Sequence, residues 1–323
     1  MSTAQSVKPS TSKYFAVNTL IFPEIIDPVP FDIYLRLGPN KYTKVFSRGL
    51  EIERERLNSY ILKGTENFYI LKQDRRNFLV QSQKILGTLY SKDQLDREEA
   101  LHILTDLAAQ TLSEIFTNFE FDYTCYELST TLVSGYLAVT HKHPSLLPAL
   151  IKMAKTKRHL YHHSIMTALF SCLLARQMEP ENKQFHLNAG LAGFLHDIGL
   201  CKVSEDLDEH SINLTGDNRM KLMDHPQVGA NMLSGIRDIS PDVVVAISQH
   251  HENMNGTGYP NQLPADKITR TARLVALTEE FSALIGGSKE NVPLSPSLAM
   301  HALRATDRFD SKVVDALAKL LNL

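Results

Sequence analysis

Between Tyr14 and about Val80 the apolar positions come in short runs, YFAVNTLIF, FDIYLRL, NFYILK and NFLVQ, separated by Pro, Gly, Asn and Asp. Runs of this length between turn-forming residues predict strands. Gly49–Leu62 (GLEIERERLNSYIL) interrupts them with a charged stretch whose apolar residues recur at helical spacing, so a small α+β module is expected here. From about Ser82 onward the period becomes helical. Helices are predicted over Asp93–Phe119, Ser129–Ala138, Pro144–Lys155, His162–Gln177, Lys183–Leu195 and Pro226–Leu233. Pro241–His251, Thr269–Leu284, Ser295–Ala305 and Ser311–Leu321 follow, with Pro, Gly and Asn at the breaks. The expected fold is mainly α: an all-helical bundle over 146–323, preceded over 1–145 by a smaller α+β module with a helical connector. Residues 1–13, rich in Ser, Thr and Lys, read as a disordered leader.

Composition narrows the class. The chain of 323 residues is 43% hydrophobic and 22% charged, values of an ordinary globular protein long enough for two domains. A net charge of −2 supplies no field to hold a DNA or RNA polymer, so any nucleotide must be gripped locally. No run approaches the roughly 20 apolar residues of a membrane span, and a cytoplasmic protein is expected. Cys125, Cys172 and Cys201 are odd in number and scattered, matching neither a disulfide framework nor a CxxC zinc site. Histidine is the unusual residue: nine of 13 fall between His159 and His251.

That stretch carries the chemistry. GLAGFLHDIGL sets His196 beside Asp197 at the end of an apolar helix. Neighbours on a helix diverge by about 100°, so the pair suits two ions bridged by the carboxylate better than one ion chelated by both. SQHHENMNGTGYPNQL ends a helix on His250 and His251 and continues into a Gly- and Pro-rich loop, Gly256, Thr257, Gly258, Tyr259, Pro260. Alone, such a pair reads equally well as a surface turn. His163 lies within an amphipathic helix, where a single histidine is more often a hydrogen-bonded core residue. His225 precedes Pro226 at a helix start. Glu279 sits on the apolar side of its helix, and a carboxylate facing a core needs a positive partner. His, His-Asp, His, His-His and a carboxylate on successive helices together form the donor set of a metal held in a helical bundle.

The order of these segments resembles the HD-GYP family, a subgroup of the HD phosphohydrolases, over roughly 146–323. The family signature HHExxDGxGYP stands here as HHENMNGTGYP, and RFDSKVVDALAKLL is similar to the family's last helix. The resemblance implies a bacterial phosphodiesterase that hydrolyses cyclic di-GMP to pGpG, GMP or both. It implies His163, His196, Asp197 and Glu279 around one metal, and Asp197, His225, His250 and His251 around the other. Iron is the expected metal, manganese the alternative, because a His-rich, carboxylate-bridged site differs from the closed thiolate sites of structural zinc. Asp197 and Lys202 are the catalytic candidates. Asn255, Gly256, Gly258, Tyr259, Arg273 and Lys289 are the substrate-binding candidates, although solvated surface charge or a structural ion pair is at least as reasonable for Lys202, Arg273 and Lys289, and a packing role as reasonable for Tyr259.

Several positions depart from the family pattern. Leu200 replaces the lysine of HDxGK, Asn255 replaces an Asp, and Glu279 replaces a shorter Asp. His159 takes the place of an acidic residue associated with a third metal. The Ser288–Pro293 region lacks the expected basic segment. These changes raise a rival reading, a cyclic di-GMP receptor with little turnover. An HD enzyme acting on another phosphate ester is a third. The N-terminal module shows no phosphate loop, zinc spacing or catalytic pair, and is assigned by elimination to regulation or to a protein signalling partner.

Overall fold

The computed structural model describes residues 13–24, 28–39, 41–82, 97–118, 121–142, 146–154, 160–203, 220, 222–287 and 292–323. Of the leader expected over 1–13, all but Lys13 lies outside them. The chain divides into two compact units, Met1–Gln94 and Leu95–Leu323.

The first unit is built on a four-stranded antiparallel sheet of β1 (Tyr14–Asn18), β2 (Ile33–Gly38), β3 (Lys41–Phe46) and β4 (Asn67–Leu71), in the order β1-β4-β2-β3. Side chains alternate across a strand. Phe15 and Val17 of β1 and Phe68 and Ile70 of β4 are therefore buried together, with Leu57 of helix α1 (Arg54–Leu62) also in the core. On the opposite face Tyr14 stacks on Tyr42 at 4.1 Å between ring centroids, and Tyr69 meets Tyr42 edge-on at 5.2 Å. Three local expectations change. YFAVNTLIF, read as a strand, is one only to Asn18 and continues as a 3-10 helix over Thr19–Glu24. NFLVQ, read as a strand, is helical over 75–82, because Arg75, Phe78, Leu79 and Ser82 bury at helical spacing and the Ser82 hydroxyl donates to the Phe78 carbonyl at 2.8 Å. β3 was absent from the predicted runs because KYTKVF is half polar; antiparallel pairing with β2, Tyr34 opposite Lys44 and Arg36 opposite Tyr42, places it in the sheet.

The second unit is helical: α2 (Arg97–Asn118), α3 (Tyr123–Lys142), α4 (Leu147–Ala154), α5 (Leu160–Met178), α6 (Lys183–Leu195), α7 (His225–Leu233), α8 (Pro241–Gln249), α9 (Arg270–Gly286), α10 (Pro296–Arg304) and α11 (Ser311–Leu321). The molecule is thus mainly α with a small sheet at its N-terminal end. α2 and α3, expected to connect two domains, lie inside this unit. Their apolar residues Leu104, Leu107 and Leu132 are buried, and fully buried Tyr136 donates its hydroxyl to the Leu104 carbonyl at 3.3 Å. α6 is central: all residues from Asn188 to Leu195 are buried, which accounts for a helix whose sequence is apolar nearly all round. Among the described residues no helix is long and apolar enough to cross a membrane.

Candidate metal centre

α6 starts on an Asn182 cap, whose side chain accepts from the Phe185 amide, and runs into His196 and Asp197. The chain then makes a turn and a short helical segment, Leu200–Val203. Gly199 is needed there for close approach. A β-carbon on it would lie 2.0 Å from the His225 carbonyl oxygen and 2.7 Å from the Gly229 nitrogen. Without a side chain, the turn after Asp197 lies against the first turn of α7 and brings the carboxylate to His225.

Three imidazoles are oriented alike. Nδ1 of His196 lies 2.8 Å from the Gly193 carbonyl, Nδ1 of His225 2.7 Å from Leu222, and Nδ1 of His250 2.6 Å from Ile247. A carbonyl only accepts, so each Nδ1 carries its hydrogen and each Nε2 of the neutral ring presents a lone pair. These lone pairs converge. His225 Nε2 lies 3.1 Å from His250 Nε2 and 3.3 Å from Asp197 Oδ1, while His196 Nε2 lies 3.0 Å from Asp197 Oδ2. His251 Nδ1 is 3.8 Å from Glu279 Oε2.

The donors fall into two groups whose ligand atoms lie within 4.8 Å of one another: Asp197, His225, His250 and His251 in one, His163, His196 and Glu279 in the other. Asp197 connects them, one carboxylate oxygen turned to each. This arrangement fits cations. Neutral imidazoles whose lone pairs face each other at 3.1 Å repel, and His196 Nε2 is buried without an aligned hydrogen bond. A positive ion in each group answers both.

Electrostatics separates the groups. Burial, and then the neighbouring imidazoles, hold His250 and His251 well below the usual histidine range, in the neutral form that ligates. Burial raises the Glu279 carboxyl to about 8 against the opposing pull of His196. Burial disfavours the charged form of His196, but Asp197 beside it outweighs this and pushes the ring up to about 9.

The loop after the His pair is braced from within. A β-carbon on Gly258 would lie 2.4 Å from the Asn253 nitrogen and 2.5 Å from both the Glu252 Cα and the His251 carbonyl oxygen, so the chain doubles back with no room for a side chain. Gly256 has φ 73°, a left-handed conformation that glycine adopts without steric cost. Tyr259 stacks on His251 with ring centroids 4.5 Å apart, and its amide donates to the His251 carbonyl at 3.1 Å.

Other substrate-binding candidates are placed differently. Asn255 is exposed; its side chain donates to Asp307 at 2.7 Å and accepts from the Thr257 amide and hydroxyl. The Arg273 guanidinium is committed to Asp310 at 2.8 Å and to the carbonyls of Ile268 and Ala265, tying the end of the loop to the start of α11. Leu200, at the family's lysine position, is buried, and Lys202 is exposed two residues on. His159 and Lys289 lie outside the described residues.

One residue went unassigned in the sequence. Glu252 is 3% exposed and accepts from the backbone amides of Asn261 at 2.7 Å and Leu263 at 2.9 Å. The signal was present: an acid directly after two ligands and before a Gly- and Pro-rich loop has many backbone amides to satisfy.

Successive helices that deliver His, His-Asp, His, His-His and Glu to one buried patch define a helical metalloprotein of the HD class, named for the adjacent pair His196 and Asp197. The family model described as the HD domain matches residues 145–313, and the chain belongs to that family. It is 30% identical to "Cyclic di-GMP phosphodiesterase PA4108" of Pseudomonas aeruginosa, over 60% of this chain and 47% of that protein. It is 32% identical to "Cyclic di-GMP phosphodiesterase response regulator RpfG" of Xanthomonas campestris pv. campestris, over 46% and 39%. It is 27% identical to "3'3'-cGAMP-specific phosphodiesterase 3" of Vibrio cholerae, over 50% and 35%. The chain thus spans about half or less of the length of these relatives. The solved structure of Bd1817, an HDG"Y"P protein from Bdellovibrio bacteriovorus, shares the fold with a TM-score of 0.67 at 20% identity, over 96% of this chain and all of that one.

Proposed function

We propose that this chain is a metal-dependent phosphodiesterase that hydrolyses cyclic di-GMP to pGpG, GMP or both through a binuclear centre, with iron, or manganese in its place, as the metal. The observation that carries this reading is the Asp197 carboxylate, with one oxygen turned to each donor group. The names of the similar proteins support the substrate class: each acts on a cyclic dinucleotide. His163, His196 and Glu279 with Asp197 would hold one ion, and His225, His250 and His251 with Asp197 the other. When bound, two divalent ions supply a water made nucleophilic at neutral pH and compensation for charge on the phosphoryl oxygens. The protein's own groups do the rest. Backbone carbonyls at Nδ1 of His196, His225 and His250 fix the tautomers of those three rings, burial holds His250 and His251 neutral, and Tyr259 forms one wall beside His251. The N-terminal unit is assigned to regulation or to a protein signalling partner, and the compartment to the cytoplasm.

A second reading has specific support. Arg273 is committed to Asp310 and two carbonyls, Asn255 to Asp307, and Leu200 stands buried where the family has lysine. With fewer phosphate contacts, the chain would act as a cyclic di-GMP receptor with little turnover. One experiment separates these readings. Full-length protein loaded with iron or manganese is incubated with cyclic di-GMP, 3'3'-cGAMP and mononucleotides, and binding is measured by calorimetry. Linear product from cyclic di-GMP supports the phosphodiesterase. Tight binding without product supports the receptor, and turnover of mononucleotides alone selects a different HD enzyme.

A further inference from the structure

We infer that Glu252 is a positioning residue of this centre, holding the loop that carries Tyr259 in place without touching a metal ion or substrate. Glu252 belongs to neither donor group, although it directly follows His251. Its two carboxylate oxygens reach forward to the amides of Asn261 and Leu263, across the Tyr259–Pro260 step. Gln262, between those amides, has φ 51°. A left-handed residue at that point turns the flanking N–H groups to the same side, forming a concave anion-binding backbone into which the carboxylate fits. Hydrogen bonds from amides to a carboxylate are among the stronger in proteins, and the accepting side chain of this pair is buried.

The consequence concerns Tyr259. The loop is tied at its start by the Tyr259 amide to the His251 carbonyl, and at its end by Glu252 to Asn261 and Leu263. With both ties in place the tyrosine ring is held at 4.5 Å on the face of His251. Without the Glu252 tie, two backbone amides lose their acceptor and the segment from Pro260 to Leu263 opens. Tyr259 would then line the site only part of the time. The ligands His196, His225 and His250 are held separately, each by a backbone carbonyl at Nδ1, so metal should stay bound.

The kinetic part of this inference rests on the proposed phosphodiesterase activity; the structural part does not. The test compares manganese-loaded wild type, Glu252→Gln and Glu252→Ala in the full chain, by elemental analysis, amide hydrogen exchange and steady-state kinetics with cyclic di-GMP. The glutamine keeps one acceptor oxygen and is the milder variant. Wild-type metal content, exchange at Asn261 and Leu263 at least about tenfold faster, and a KM raised about tenfold in Glu252→Gln and more in Glu252→Ala, with kcat within about threefold, are expected. Unchanged exchange in both variants overturns the inference, as does loss of metal with a fall in kcat at constant KM. Should Glu252→Ala fail to fold, Glu252→Gln alone decides. Should wild type turn over no cyclic di-GMP, the proposed activity fails, while exchange and metal content still decide the role of Glu252.

Discussion

The two donor groups that meet at Asp197 are assembled in different ways. His225, His250 and His251 come from α7 and the end of α8, helices adjacent in sequence. His163, His196 and Glu279 come from α5, the end of α6 and α9, and depend on packing across the whole helical unit. Their electrostatics differ in the same sense. In the locally built group, burial and the neighbouring imidazoles hold His250 and His251 neutral. In the other, Asp197 pushes the His196 ring up to about 9, and burial raises the Glu279 carboxyl to about 8. The difference teaches that one carboxylate joins a sequence-local site to a tertiary one, and that the two can be broken separately.

The largest effect is expected from removing the junction. Asp197→Ala should take the metal content from about two ions per chain to near zero and abolish hydrolysis, as read by elemental analysis of anaerobically purified protein. One ion or none in wild type would sink the binuclear reading. Next come the separate halves. His163→Ala and His250→Ala should each leave about one ion, because each removes a donor from a single group. If either empties both sites, the halves are not independent and the comparison fails.

A smaller effect is expected at Arg273, which serves neither half. Arg273→Ala removes the ion pair with Asp310 and two hydrogen bonds to carbonyls, costing about 1–3 kcal/mol by urea denaturation at neutral pH with metal content unchanged. Its pH dependence follows from Asp310. Burial raises that carboxyl, but Arg273 and the amides of Lys312 and Val313 outweigh it and hold it below the ordinary 3.8. A depressed carboxyl contributes its stabilisation above the unfolded value and loses it as pH falls through the folded one, so the difference between variant and wild type should shrink in strong acid. The smallest effect is assigned to Tyr259→Phe, which keeps the ring on His251. Two ions and stability within about 0.5 kcal/mol of wild type are expected. Loss of metal would show that the hydroxyl supports His251 directly.

Much of the helical unit was legible because burial there follows the helical period. Lys183–Leu195 and Ser311–Leu321 have the same limits in the pattern and in the structure. The sheet was less so. NFLVQ has the composition of a strand, yet its burial at Arg75, Phe78, Leu79 and Ser82 makes it a helix, whereas polar KYTKVF becomes a strand by pairing with β2. Local propensity is weak where a neighbouring element supplies the partner.

At the site, the sequence by itself determined the inventory: which side chains can ligate, that they lie at helix ends and on apolar helix faces, and that a Gly- and Pro-rich loop follows the His pair. Tertiary structure alone decided their use. The close approach permitted at Gly199 set Asp197 between two groups, and three backbone carbonyls fixed the tautomers of His196, His225 and His250. Packing against the start of α11 drew Asn255 to Asp307 and Arg273 to Asp310, and the fold of the loop gave Glu252 its amides. The physical reason is directional. Hydrophobic period fixes which face of an element is buried, but a hydrogen bond or metal ligand needs a partner within about 3 Å at a defined angle, and that partner comes from elsewhere in the chain.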